Sequence, residues 1–377
     1  MTQALSSLYK YSSLLLSKKI NKKIIVIESD DWGSIRMPDK DTYDLCLSKG
    51  YEVDKNSYTK FDCLETDNDL EELFNLLSSH KDHNSNHPIF TANCLVTNPD
   101  FDKIIESGNE NYFFETVEET FLKSMNSKNA LNLWKKGMQD KYFMLQSHGR
   151  EHLNVSRFMI DLKNRNSDAL FALNNKMPGI FFKEDHKSGN EYVVALEHFN
   201  NSDLQNKCII IEEGLKLFNK LFGYYSQSFV ACNYVWDKEI EKVLKLNNVN
   251  FIQGTIYQLI PKGACNGFRK KLHYTGQKNV YNQLYIVRNA HFEPVNDGDS
   301  ALYNCLNQIN LAFKLNLPAI ISTHRINYVD SIQKGNRSNG LKYLDLLLKK
   351  IKVNWPDVEF MTTIELGNYL NNINHEK

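Results

Sequence analysis

The sequence predicts an α/β fold, a distorted (β/α) barrel of seven or eight parallel strands with loop insertions, and three observations carry that expectation. Short β-rich runs alternate with longer stretches of helical character to the end of the chain. The runs are apolar nearly throughout instead of alternating, the pattern of strands buried on both faces. No Gly-rich turn of the G-x-G-x-x-G kind is present, which favours a closed barrel over a dinucleotide-binding sheet.

The strands are expected at Ile24–Glu28, Ile89–Asn93, Tyr142–Ser147, Ser228–Cys232, Val249–Gln253, Leu284–Asn289, Ala319–Thr323 and Val358–Thr362. Between them, helices are expected at Leu70–Ser79, Tyr112–Met125, Ile209–Phe222, Asp237–Leu246, Ser300–Leu315 and Asn339–Lys350. Residues 40–66, 164–206 and 254–283, rich in Asn, Lys, Gly and Tyr, fit no such unit and are expected as insertions that shape the barrel mouth. A length of 377 residues suits two ordinary domains or one enlarged barrel. With no internal repeat or low-complexity linker, a single barrel domain over 1–377, opened by an N-terminal helix at 1–20, is the preferred reading.

Lys and Arg number 45 and Asp and Glu 45, a formal net charge of zero, so no overall field draws the chain to nucleic acid or an anionic membrane. Hydrophobic residues at 42% and charged residues at 24% are those of a folded soluble protein. Cys46, Cys63, Cys94, Cys208, Cys232, Cys265 and Cys305 show no C-x-x-C pair or regular spacing, which reads as reduced, mostly buried thiols. The apolar patch Leu14–Leu16 is too short for an export signal, and no run is long enough to span a bilayer, so a cytoplasmic location is expected.

Three of the apolar runs end in polar residues suited to catalysis. The first ends in Glu28-Ser29-Asp30-Asp31-Trp32-Gly33. Adjacent carboxylates repel unless a cation or a shared proton divides their roles, so one can ligate metal while the other acts as base; an Asp-rich turn is the plain alternative. The run ending at Ser147 continues as His148-Gly149-Arg150-Glu151-His152. If a helix begins there, the i,i+4 spacing sets both imidazoles on one face, and two imidazoles with a carboxylate make a ligand set typical of catalytic zinc. Chance pairing remains open in a chain with 11 histidines. Ile320-Ile321-Ser322-Thr323 ends in His324, placed to protonate a leaving group or simply to sit satisfied at a strand end. In a parallel barrel these ends converge on one rim.

In this order the motifs resemble those of the NodB-type polysaccharide deacetylases of carbohydrate esterase family four: a strand ending in Asp-Asp, a His-x-x-x-His segment and a late strand ending in histidine. The resemblance runs from about residue 22 to 366. It implies one divalent metal ion, zinc first among transition metals, on Asp31, His148 and His152, with Asp30 as general base and His324 as general acid. The implied activity is removal of N-acetyl or O-acetyl groups from a saccharide, with a precursor in surface-glycan assembly as the expected setting. The chain departs from the pattern at Trp32, where the family has glycine, and at Ala231-Cys232-Asn233-Tyr234, which lacks the usual arginine; Arg288 is the candidate to replace it. Trp32, Asn233, Tyr234, Arg288, His291 and Glu293 are the expected substrate-binding residues, with Trp236 a further aromatic near a strand end. A glycosidase using Glu28 or Glu293 as second carboxylate, and an inactive carbohydrate-binding protein, are the competing readings.

Overall fold

Why a parallel barrel forms is visible in its first strand. Ile24, Ile25, Val26 and Ile27 are at most 2% exposed, and β1 (Ile24–Trp32) is buried along its whole length, as only a strand covered on both faces can be. The computed structural model describes residues 12–180, 192–263 and 266–373. Its main sheet adds β2 (Phe90–Cys94), β3 (Phe143–Ser147), β4 (Ser228–Val230), β5 (Phe251–Gly254), β6 (Leu284–Val287), β7 (Ala290–His291) and β8 (Ala319–His324). The order is β6-β5-β4-β3-β2-β1-β8-β7, with every pair parallel. The ring closes through the chain itself, because β6 and β7 are one run interrupted at Arg288 and Asn289. The Arg288 N–H donates to Gly254 O on one side (2.8 Å) and the Asn289 N–H to Ile320 O on the other (3.0 Å).

The expected eighth strand, Val358–Thr362, contracts to β9 (Glu359–Phe360), which among the described residues pairs only with the base of β1. The expected helix at Tyr112–Met125 likewise shortens to Val117–Lys123: Thr116 caps it through a box with Glu119, and Phe114–Thr116 pairs as a strand with Thr97–Pro99.

Side chains alternate across a strand, and β1 sorts its residues accordingly. Ile25 and Ile27 join the core formed with helices α1 (Asp67–Ser78), α2 (Ala130–Gln139), α3 (Asn201–Phe222), α4 (Asp299–Lys314) and α5 (Asn336–Asn354). Ile24 and Val26 instead pack with Phe251, Leu284, Ile286 and Ile320 inside the ring, where α6 (Thr363–Asn372) plugs one end with Ile364, Leu366 and Leu370. Burying one such side chain stabilises by about 1.5–3 kcal/mol, so these two layers hold the ring. The inward row 24, 26 continues to Glu28 and Asp30, which places carboxylates above an apolar plug.

Segment 40–66 folds as two short helices, Lys40–Ser48 and Ser57–Phe61. Its Tyr43, Cys46, Tyr51, Val53 and Cys63 pack on Met177, Ile180, Val329 and Ile332. Segment 254–283 carries an antiparallel hairpin, Tyr257–Pro261 with Phe268–Leu272. The stretch 164–206 holds a helix at Ser167–Asn174 and gives up its last residues to α3, which starts at Asn201 because Asn200 caps it. Its residues 181–191, residues 1–11 of the expected N-terminal helix, and Cys265 lie outside the described residues, whereas residues 12–16 are helical. The other six cysteines are free thiols. Among the described residues no helix is long and apolar enough to cross a membrane.

Candidate active site

Neighbouring residues of a regular strand point to opposite faces, so Asp30 and Asp31 reach one space only if β1 breaks. A bulge supplies the break. The register against β2 slips between Ser29 and Trp32, and Asp31 adopts φ 76, a left-handed conformation that Asp tolerates better than most residues. Gly33 follows at φ 83, where a Cβ would lie 2.8 Å from Val117 and 2.9 Å from Leu95 O. Its N–H donates to Glu65 (3.0 Å).

The same bulge turns Trp32 away from the rim. The ring is 1% exposed, stands edge-on to Phe143 with centroids 4.8 Å apart, and donates Nε1–H to Ser29 Oγ (3.0 Å). The expectation that Trp32 contacts substrate is therefore corrected: its faces are core. Trp236 is equally enclosed and donates to Glu241 (3.0 Å).

His148 to His152 is not a helical turn, so the condition set on the i,i+4 spacing is not met; the helix starts at Val155, after an irregular loop. Backbone N–H groups of Val96 and Thr97 hold that loop at Arg150 O (3.1 and 2.9 Å), and the Arg150 side chain pairs with Glu151 (2.6 Å). The loop nevertheless juxtaposes the two rings, with centroids 5.3 Å apart. His148 Nε2 lies 3.2 Å and His152 Nε2 3.5 Å from the same atom, Asp31 Oδ1.

The donor set suits a cation. Val230 O can only accept, so the 2.9 Å contact to His148 Nδ1 fixes a proton there. In neutral His148 the Nε2 lone pair then faces a carboxylate oxygen, an arrangement that calls for a proton or a cation between them. Two ligand atoms on one metal at ~2.1 Å and a tetrahedral angle stand ~3.4 Å apart, close to both observed separations. Burial, resisted by the Asp31 charge, pushes His152 down to about 4, leaving it a neutral imidazole. Burial acts the same way on His148, but the Asp31 hydrogen bond and the charges of Asp30 and Asp31 outweigh it and raise that ring.

Cys232 Sγ also lies within 4.8 Å of the ligand atoms of both histidines. Burial keeps it a thiol, and it donates to His148 O (3.5 Å). The shorter contacts belong to Asp31.

Asp30 sits beside this cluster in the grip of Arg288. Nη1 and Nη2 of Arg288 donate to its two oxygens (2.6 and 2.7 Å), and Asn93 adds a third bond (2.8 Å). Burial raises the carboxyl, but Arg288 outweighs burial and holds it at about 2. Arg288 also donates Nε–H to Glu28 (2.6 Å) and Nη1–H to the Tyr234 hydroxyl (3.0 Å).

His324 Nε2 lies 3.7 Å from Asp30 Oδ2, while its Nδ1 binds Glu293 Oε1 at 2.5 Å. Burial would lower this imidazole; the charge and hydrogen bond of Glu293, with Asp30 and Asp31, raise it well above the ordinary histidine value. Asn327 donates to the other Glu293 oxygen (2.6 Å). The parallel register had already set Asp30 opposite His324.

These groups line one pocket of about 240 Å³, together with Asn233, Tyr234, Ala231, Tyr58, Asp62 and Arg36. Of the expected substrate contacts, Asn233 and Tyr234 face it, at φ 54 and 58. Arg288 lies beneath it and touches Asp30 instead. Glu293 is a support for His324, not part of the lining. His291 points elsewhere, into a separate cleft with Ser13, Thr255 and Asn289, because β7 displays it on the other side of the rim. Glu28 is fully buried between Arg288 and Thr363 (2.7 Å), so neither Glu28 nor Glu293 offers the second carboxylate a glycosidase needs.

Sequence reasoning missed Tyr58 and Asp62, which arrive from segment 40–66; only the position of that insertion after β1 hinted at them. It also missed Asn93 and Gln253, which exchange hydrogen bonds beneath Asp30 (2.8 and 2.9 Å) and whose inward place in β2 and β5 was the available signal.

No family model and no curated protein matches the chain. Solved structures do. One described as a "putative glycoside hydrolase/deacetylase" from Parabacteroides distasonis has 10% identity and a TM-score of 0.49, covering 96% of this chain and 74% of its own. One described as a "probable polysaccharide deacetylase" from Pseudomonas aeruginosa PAO1 has 8% identity and a TM-score of 0.48, covering 94% and 92%. Puue allantoinase, also at 8% and 0.48, covers 94% and 91%. Likenesses this distant decide nothing about activity.

Proposed function

We propose that the protein is a metal-dependent hydrolase that removes N-acetyl or O-acetyl groups from a saccharide. The observation that carries the reading is the meeting of Asp31, His148 and His152 at one oxygen atom, beside an Asp30 held ionised and a His324 held protonated. Asp31, His148 and His152 would hold the ion, zinc being the first candidate for two nitrogens and a carboxylate oxygen. Such an ion polarises an acyl carbonyl and acidifies water.

The chain's own residues supply the proton movements. Asp30 stays a carboxylate at any working pH and accepts the proton of the attacking water at Oδ2, the oxygen nearer His324. Arg288 keeps that oxygen aimed. Glu293 fixes His324 by Nδ1, so Nε2–H is the proton available to the departing nitrogen or oxygen. No covalent intermediate is required. A pocket of about 240 Å³ has room for one sugar ring, and a small precursor in surface-glycan assembly is the substrate setting we propose.

Purified protein tests the reading. Metal analysis should give about one divalent ion per chain, lost in His148→Ala and His152→Ala. Asp30→Asn should keep the ion and lose acetate release from acetylated mono- and disaccharides. Retention of metal by the double histidine variant, or no acetate from the wild type, rejects it.

A further inference from the structure

Several polar groups face the pocket without a task in this chemistry, and two of them arrive together. Segment 40–66 brings in Tyr58, on the helix Ser57–Phe61, and Asp62, the residue that ends it. Asp62 is 1% exposed. Its Oδ1 accepts from Arg325 Nε and Nη2 (3.1 and 2.9 Å), whereas Oδ2 receives no hydrogen bond among the described residues. The Tyr58 ring stands edge-to-face against His324, with centroids 5.7 Å apart. Its hydroxyl, too, makes no hydrogen bond among the described residues.

Asp62 Oδ2 and the half-buried Tyr58 hydroxyl both open onto the pocket, so a ligand entering it meets one acceptor and one donor that no protein group occupies among the described residues. Their surroundings show that neither is adrift. Arg325, itself buried, clamps Asp62 along with Glu65 (2.8 Å) and Ser34 O (2.8 Å), and the His324 ring backs Tyr58. Both are pre-positioned, and both come from a segment the barrel does not need.

We infer that Tyr58 and Asp62 form the sugar-recognition edge of the pocket, the Tyr58 hydroxyl donating to, and Asp62 Oδ2 accepting from, free hydroxyl groups beside the acetylated position. The inference rests on the deacetylase reading and narrows it. The substrate class is a partly acetylated sugar ring with a free neighbouring hydroxyl, and a ring acylated at every position is excluded. A site built to hydrogen-bond a hydroxyl discriminates strongly against an analogue without it, since its own polar groups are then left unpaired.

The test compares wild type, Tyr58→Phe and Asp62→Asn on acetylated methyl glycosides and their monodeoxy analogues. Tyr58→Phe keeps the ring against His324, so it decides the matter should Asp62→Asn unsettle Arg325 and fail to fold. Each variant should lower kcat/KM about 10–100-fold on the parent sugar, with metal content unchanged. One deoxy analogue should lose as much with wild type and lose no more with the variant, the non-additivity expected of partners in contact. Wild-type acetate release that is unaltered by Tyr58→Phe, or variants that depress every analogue in parallel, would overturn the inference and leave the deacetylase reading intact. A wild type that releases no acetate from any sugar removes both.

Discussion

Replacing Arg288 by Met probes the most heavily charged part of the site. Arg288 has no exposed side-chain surface and bridges Glu28 (0% exposed) and Asp30 (5%). Removing one partner of a buried ion pair typically costs about 3–5 kcal/mol, because the remaining charge is stranded. The share traceable to Asp30 agrees in order of magnitude: a carboxyl held at about 2 instead of 3.8 corresponds to about 2 kcal/mol.

The sign follows from linkage. A depressed carboxyl contributes stability that is present above its unfolded value and lost as pH falls through about 2. Glu28 works in the opposite sense, since burial raises it despite Arg288. Without the guanidinium, both carboxyls should bind protons more readily, so Arg288→Met should regain more stability between pH 7 and pH 5 than wild type, in which Glu28 alone of the pair is raised. Urea unfolding with a chelator present, at both pH values, measures this. The expected midpoint loss at pH 7 corresponds to about 3–5 kcal/mol. An unchanged midpoint at pH 7, or a variant whose midpoint changes between pH 7 and pH 5 no more than that of wild type, would refute the role given to Arg288. Arg288→Lys should not rescue, because an ammonium cannot reproduce the fork that meets Asp30 and Glu28 together.

Glu293→Gln removes the main charge that raises His324, so the alkaline limb of the kcat/KM profile should move to lower pH with metal content unchanged; a fixed limb would show that His324 is not the acid. Gly340→Ala tests a distant support, since a Cβ there would lie 1.8 Å from Asn327 O. Overpacking of this kind costs about 1–3 kcal/mol, and displacing Asn327 from Glu293 should lower kcat. Thermal melts and acetate assays check the two effects, and an Ala variant with wild-type melting would show that α5 yields without strain.

The fold was legible because a parallel strand writes its burial directly into sequence. Ile24–Ile27 and Ala319–Ile321 need cover on both faces, and residues that follow such runs must gather at one rim. What stayed hidden were departures from regular geometry. Strand parity assigns Trp32 to the same face as Asp30, and only the bulge at Asp31, invisible without the register against β2, sends it into the core. The i,i+4 spacing of His148 and His152 suggested a helix, yet a loop pinned at Arg150 produced the same proximity, so the spacing foretold the meeting and not its cause. Arg288 was placed by strand position alone. Tyr58 and Asp62 carry no periodic signal, since their place depends on how 40–66 packs against Val329 and Ile332.

One electrostatic requirement connects these hidden parts. Placing the carboxylates of Asp30, Asp31 and Asp62 around one pocket is unfavourable unless opposite charge lies close, and for Asp62 burial still prevails over Arg325 and raises it to about 6. Arg288 answers from below, spanning Glu28 and Asp30. Arg325 answers from the side, spanning Asp62 and Glu65 and holding Ser34 O, so it also fixes the turn that follows Asp31. Asp31 alone has no arginine. Its compensation falls to two imidazoles: burial keeps His152 neutral, whereas on His148 burial is outweighed by the Asp31 hydrogen bond and the charges of Asp30 and Asp31, which raise that ring, so a cation bound where both rings converge on Asp31 would take over the balancing role of that proton.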